Sequence, residues 1–303
     1  MTTAAPPTRP DEAGRGESRG IRRRLSGVAD RHPRAQLAGL LGAPLTWIVV
    51  VYVGSLASLL LTSLYTTNDF TGNLVRTITF TNFHQLFSDP AFRIVTFRTL
   101  AIALSVTVLD LVLALPVAFY MAKVATRRTR RALAVAIVLP LWASYLVKSY
   151  SWRVMLDPVG GVLAKTIGRS PGFGLPATVL TLAYLWLPYM ALPIYTGLEK
   201  LPDSLLDASG DLGAGAARTF RSVVLPMLLP SIVAGAIFTF SLSLGDYIAV
   251  SIVGGQTQMV GNVIYNDFGA GNLPQAAAFA VVPVVIMAIL LLGVRRTGAL
   301  ENL

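Results

Sequence analysis

Cysteine is absent from this 303-residue chain, and histidine occurs only at His32 and His84. The first absence excludes disulfides, thiolate zinc sites, iron–sulfur clusters and cysteine nucleophiles. The second excludes a histidine-rich metal centre. Charge is scarce as well: 13% of the residues are Asp, Glu, Lys or Arg, where a soluble domain carries about 25%. With 54% hydrophobic residues and a mean hydropathy of +0.63, the chain cannot furnish a water-facing surface and is expected to be an integral membrane protein. A phosphate-cradling loop is missing too, since the glycine required before Lys165-Thr166 is Ala164. Gly16-Glu17-Ser18-Arg19-Gly20 matches a serine-hydrolase elbow, but that motif needs a strand before it and a helix after it. Its tail, rich in Pro, Gly, Arg and Ser, offers neither. No catalytic constellation and no metal-spaced acid cluster remain, so the chain is expected to be neither an enzyme nor the holder of a cofactor.

What the sequence does contain is long stretches without charge. A spanning helix needs about 20 mostly apolar residues. Residues 35–68, 170–198, 222–245 and 268–294 carry no charge, and residues 99–122 carry only Asp110. Residues 132–147 are also charge-free and continue through Lys148 to Trp152. These runs predict an all-α protein with six transmembrane helices near 38–64, 95–122, 132–152, 176–198, 224–252 and 274–294. The membrane domain is then 35–297, between a disordered basic tail (1–34) and a short tail (298–303). The first apolar run begins too late, and is too long, for a cleavable signal peptide.

The basic residues set the orientation, because cytoplasmic loops retain an excess of Lys and Arg. With the N-terminus inside, 18 of the 25 basic residues fall on the cytoplasmic side. Among them are the short-loop group Lys123, Arg127, Arg128, Arg130 and Arg131. Both termini are therefore expected in the cytoplasm of a multi-pass inner-membrane protein. The net charge of +10 is read as topology signal and contact with anionic lipid headgroups rather than as nucleic-acid binding.

The connection between the fourth and fifth spans, residues 202–226, is longer than a helical hairpin needs. Asp203 or Ser204 can cap a short helix whose first turn includes Asp207. Leu205, Ala208, Ser209 and Leu212 follow at helical spacing, and Gly210, Gly213 and Gly215 permit a sharp turn before a second helix near Ala216. A short amphipathic helix on a cytoplasmic face suits docking of a partner; the alternative is an interfacial helix resting on headgroups.

Here the residues resemble a family. Asp207-Ala208-Ser209, Gly213 and Leu225-Pro226 are similar to the EAA loop of ABC-importer permeases of the MetI-like type: Glu-Ala-Ala, then Gly, then hydrophobic-x-Leu-Pro. The likeness extends through Trp186-Leu187-Pro188-Tyr189 and Leu244-Gly245-Asp246-Tyr247 to Gly261-Asn262-Val263-Ile264. These flanks resemble spermidine/putrescine (PotB-type) permeases over roughly residues 40–296. The resemblance implies one half of an importer, paired with a second, homologous permease subunit and served by an extracytoplasmic solute-binding protein. It further implies a cytoplasmic ATPase dimer holding ATP and Mg, with the loop as its docking element. This sequence departs from the pattern in carrying Asp207 for the glutamate and Ser209 for the second alanine.

A charge inside a membrane helix costs about 2.5–3.5 kcal/mol on insertion scales and tends to face a cavity or a partner. Asp110 continues a small, polar stripe (Thr99, Ala103, Thr107, Ala114), and Asp246 is expected at the outer end of the fifth span beside Tyr247. With Tyr184, Trp186 and Tyr189 these acids can line a path for an organic cation. Alternatively, the acids pair with helix partners or with Lys148, and the aromatics form interfacial belts. Ser231, Gly235 and Thr239 recur every fourth residue and predict close helix packing. Pro188, Pro193 and Pro283 are expected to kink their helices. The functional expectation is a polyamine-importer permease. Its alternatives are the same machine carrying a phosphonate, thiamine, sulfate or ferric iron, and a self-sufficient secondary transporter, which would predict inverted repeats and more intramembrane ionisable residues.

Overall fold

The computed structural model describes residues 41–42, 44–68 and 72–296. The predicted basic tail 1–34, with its elbow-like pentapeptide, and the predicted C-terminal tail 298–303 lie outside the described residues. The chain divides into two compact units, residues 1–59 and 60–303. The first holds most of helix α1 (Pro44–Ser63), a charge-free segment long enough to span a bilayer.

In the second unit a two-residue antiparallel ribbon pairs β1 (Thr66–Thr67) with β2 (Leu74–Val75), Thr66 opposite Val75. Helices α2 (Thr81–Ser88), α3 (Pro90–Val124), α4 (Arg127–Trp142), α5 (Tyr145–Leu156) and α6 (Val162–Ile167) follow. After them come α7 (Leu175–Lys200), α8 (Asp203–Asp211), α9 (Ala216–Leu244), α10 (Ile248–Val253), α11 (Val260–Gly269) and α12 (Leu273–Arg296). Helix starts follow local chemistry. Asp89 accepts from the Ala91 N–H at 2.8 Å with Pro90 at the first position of α3, an N-terminus whose missing donor costs nothing. Arg130 reaches back to donate to the Met121 and Ala122 carbonyls at 2.9 and 3.1 Å, satisfying acceptors that the end of α3 leaves open.

Among the described residues five helices are long and apolar enough to cross a membrane, and the α4–α5 pair supplies a sixth if counted as one span. The expected third span, 132–152, is not one straight helix: the backbone turns extended at Ala143 and Ser144, and α4 and α5 meet at 99°. Hydropathy reports composition and is blind to a change of direction. The expected fifth span, 224–252, ends at Leu244. Asp246 accepts from the Ala249 N–H at 3.0 Å, so it opens α10 rather than prolonging α9. Pro188, Pro193 and Pro283 lie inside helices that run on past them.

The core of this unit is the bundle of α3, α7 and α9. At one end Ala114 and Ala118 meet Met190, Ile194 and Leu198 together with Leu228 and Ile232. Toward the other, Ile102 and Val106 meet Leu182, Leu185 and Val250. The small-residue repeat lies in this interface: Gly235 faces Met190, and Gly197 on α7 faces Ser231.

Candidate functional site

Helix α8 begins without a side-chain cap, because Pro202 occupies the capping position. Asp203 is therefore the first helical residue instead of the cap, and Asp207 falls in the second turn rather than the first. Lys123 at the end of α3 donates to the Leu201 carbonyl at 2.7 Å and to Asp203 Oδ1 at 2.6 Å, fixing where α8 starts. Its end is a Schellman turn: Gly213 donates to the Gly210 carbonyl at 2.8 Å and Ala214 to the Ser209 carbonyl at 3.0 Å. Gly213 sits at φ +79°, while Gly210 is helical and Gly215 extended, so the turn rests on one glycine of the three expected. Ser209 shares a 2.9 Å hydrogen bond with Thr219, and Leu206 packs on the three-helix core. Leu205, Asp207, Ala208 and Leu212 are exposed, the last 88%. Leu225 packs inward and Pro226 is exposed in the third turn of α9.

The Lys123 bonds differ in weight. The pair with Asp203 is largely solvated, Asp203 being 79% exposed, and such pairs contribute about 0–1 kcal/mol. The Leu201 carbonyl belongs to a buried residue, and leaving such an acceptor unsatisfied costs about 1–3 kcal/mol. Lys123→Met should accelerate amide exchange across α8 by roughly 5–150-fold, the equivalent of that range. Asp203→Asn should change it less than about fivefold. Equal effects would remove the Leu201 bond from the account.

The intramembrane candidates separate into four places. Asp110 is fully enclosed in the α3–α7–α9 core, and neither carboxylate oxygen has a hydrogen-bond partner among the described residues. Its stripe is buried with it: Thr107 donates to the Ala103 carbonyl at 2.7 Å, and Thr99 accepts from the Val260 N–H at 3.0 Å. Tyr247 stacks on Tyr265, ring centroids 4.8 Å apart. The third group is continuous. Asp246, 8% exposed, accepts from the Tyr145 hydroxyl as well as from Ala249. Tyr145 lies 5.9 Å from Trp186, which lies 5.9 Å edge-on to Tyr189. Tyr184 stands apart and faces Trp152 at 5.5 Å. Lys148 forms no ion pair with either acid.

The break after α9 is braced around Asp246. Asn262 donates to the Tyr247 carbonyl at 3.0 Å and to Ser251 Oγ at 2.8 Å, and accepts from the Met259 N–H at 3.1 Å. Gly261 lies so close that a Cβ there would stand 3.1 Å from the Gly245 and Asp246 carbonyls. A held carboxylate behind a phenol, continued by aromatic faces, is chemistry that attracts cations. Sequence reasoning did not find Tyr145, the partner of Asp246, or Lys123. Tyr145 is remote from Asp246 in sequence and carries no motif. Lys123 was counted only as a topology charge.

Comparison with known proteins adds a consistent picture. Residues 114–297 match the family described as "Binding-protein-dependent transport system inner membrane component". The chain is 42% identical over 299 residues to the inner membrane ABC transporter permease protein YdcU of Escherichia coli (strain K12), covering 92% of this chain and 95% of that protein. It is 32% identical over 235 residues to the spermidine/putrescine transport system permease protein PotB of Haemophilus influenzae, covering 74% and 81%. In fold it resembles a chain of a bacterial alginate ABC transporter crystallised with an alginate-bound periplasmic protein: TM-score 0.69, 15% identity, 90% of this chain and 98% of that one.

Proposed function

Since this chain belongs to the family of binding-protein-dependent transport system inner membrane components, as a multi-pass permease subunit of an ABC importer, we propose that its solute is a polyamine. The observation that carries this reading is the linked set Asp246, Tyr145, Trp186 and Tyr189. A carboxylate with aromatic faces beside it attracts an alkylammonium through charge and cation–π contact, and desolvation raises the latter to about 2 kcal/mol. Similarity to PotB, named for spermidine and putrescine, supports the same class. In this reading the chain forms one half of the pathway with a homologous second permease, and a binding protein delivers the solute from outside. ATP and Mg are bound by ATPase subunits, which dock on the exposed face of α8 through Leu205, Asp207, Ala208 and Leu212. The Lys123–Asp203 contact keeps the basic α3–α4 turn at the same end as α8, in line with both termini and the docking face being cytoplasmic.

The test is reconstitution with the partner ATPase, permease and binding protein, with ATP turnover followed against polyamines and small anions. Polyamines should stimulate turnover, and Asp246→Asn should reduce polyamine uptake at least tenfold, a loss of about 1.4 kcal/mol. Stimulation by anions alone would discard the polyamine class, and unchanged uptake by Asp246→Asn would discard the site.

A further inference from the structure

Helix α5 carries a cation, Lys148, outside the Asp246 group. Lys148 lies one turn past the break at Ala143–Ser144 and is 8% exposed. No hydrogen bond or ion pair to its ammonium is found among the described residues. Neither Asp246 nor Asp157 pairs with it among the described residues. The stem is buried while the ammonium is not among the enclosed, unpartnered atoms, and an intramembrane ammonium without a counter-charge normally meets an anion or a wet cavity.

The cavity is there. Lys148 lines a space of about 410 Å³ with Ala143, Ser151, Trp152, Met155 and Tyr184. The Trp152 and Tyr184 rings form an aromatic wall. Ser151 donates its hydroxyl hydrogen to the Val147 carbonyl at 2.8 Å, and Lys148 is the one charged donor in the lining. Val147, Ser151 and Met155 also line a second, apolar trough of about 640 Å³, which continues past Leu146, Tyr150 and Val154. One positive charge at the head of an apolar channel is complementary to an amphipathic anion, whereas a polycation would be repelled from it.

We propose that this pair of cavities seats an anionic phospholipid, with its phosphate at Lys148 and an acyl chain in the trough along α5. Two observations carry the choice of occupant: the unpaired ammonium that faces the cavity, and the continuity of that cavity with an apolar groove. The site is separate from the Asp246 group and does not depend on the identity of the solute.

The assembled transporter, placed in nanodiscs of phosphatidylcholine, tests this with phosphatidylglycerol brominated on its acyl chains as the probe. Quenching that disappears in Trp152→Phe belongs to Trp152, which lines the cavity. That component should saturate at low mole fractions of brominated phosphatidylglycerol, at least fivefold below those needed with brominated phosphatidylcholine. Lys148→Met should abolish the preference and Lys148→Arg should retain it. On the unmodified chain, non-brominated phosphatidylglycerol should relieve the quenching while phosphatidylcholine should not, so a poorly folding Lys148→Met variant leaves the test intact. Equal quenching by both lipids, an unchanged preference in a folded Lys148→Met, or relief by free palmitate but not by phosphatidylglycerol would each overturn the proposal.

Discussion

Replacing Gly213 by valine should cut ATP-driven uptake at least tenfold while the protein still inserts in the membrane. Gly213 holds φ +79° with nothing within 4 Å of where a Cβ would stand, so the penalty comes from the backbone alone. The left-handed conformation costs an L-residue roughly 1–2 kcal/mol, and a β-branched side chain tolerates it worst. Relief of that strain breaks the two hydrogen bonds that close α8, from Gly213 to Gly210 and from Ala214 to Ser209. The helix would then present Leu205, Ala208 and Leu212 in a different direction, although no side chain on its outer face has changed. The control is Gly213→Asn, which visits the left-handed region readily and should keep most of the activity. Uptake by reconstituted vesicles, normalised to inserted protein, decides the matter. Equal loss in valine and asparagine variants would show that the glycine serves by its size, and wild-type uptake in the valine variant would remove the turn from the docking role.

That turn was legible from sequence because Gly210, Gly213 and Gly215 fall between one helical pattern and the next. The membrane helices were legible for a coarser reason: absence of charge over 20 or more residues leaves few alternatives. Direction was not. Residues 132–152 read as one crossing, but the chain bends by 99° between Trp142 and Tyr145, and the two helices are apolar enough for a span only when taken together. The stripe Thr99, Ala103, Thr107, Asp110 and Ala114 was visible as one face, and the structure turns that face into the chain's own core. Periodicity gives the face of a helix but not what it faces. Asp246 reads from sequence as the end of the fifth span but lies past the end of α9, and its side chain starts α10 by accepting from Ala249. Its link to Tyr145 spans 101 residues, a separation that no local pattern encodes.

Gly235→Val should leave almost no folded protein, the larger of the two expected effects. A Cβ at this position would stand 2.9 Å from Met190 Sδ and 3.2 Å from the Met190 Cα and carbonyl oxygen. Met190 is fully buried, and backbone atoms cannot move out of the way without parting α7 from α9. Overpacking of this kind costs about 1–3 kcal/mol and occasionally more, and a branched side chain pressed against backbone belongs at the upper end. Gly197 makes the informative contrast on the same pair of helices. Its added Cβ would collide first with the Ser231 side chain and then approach Leu228 Cδ2 at 3.2 Å; the obstacle is removable. Gly197→Ala should therefore destabilise the chain and be rescued largely by Ser231→Gly, giving a coupling of about 0.5–3 kcal/mol in the double-mutant cycle. Gly235→Ala should not be rescued by Met190→Ala, because the Cα and carbonyl remain. Monodisperse recovery and thermal midpoint in detergent report both cycles. Rescue at both positions would mean that the helices can separate, and the rigid α7–α9 seam on which α8 is mounted would then be the part of this account to abandon.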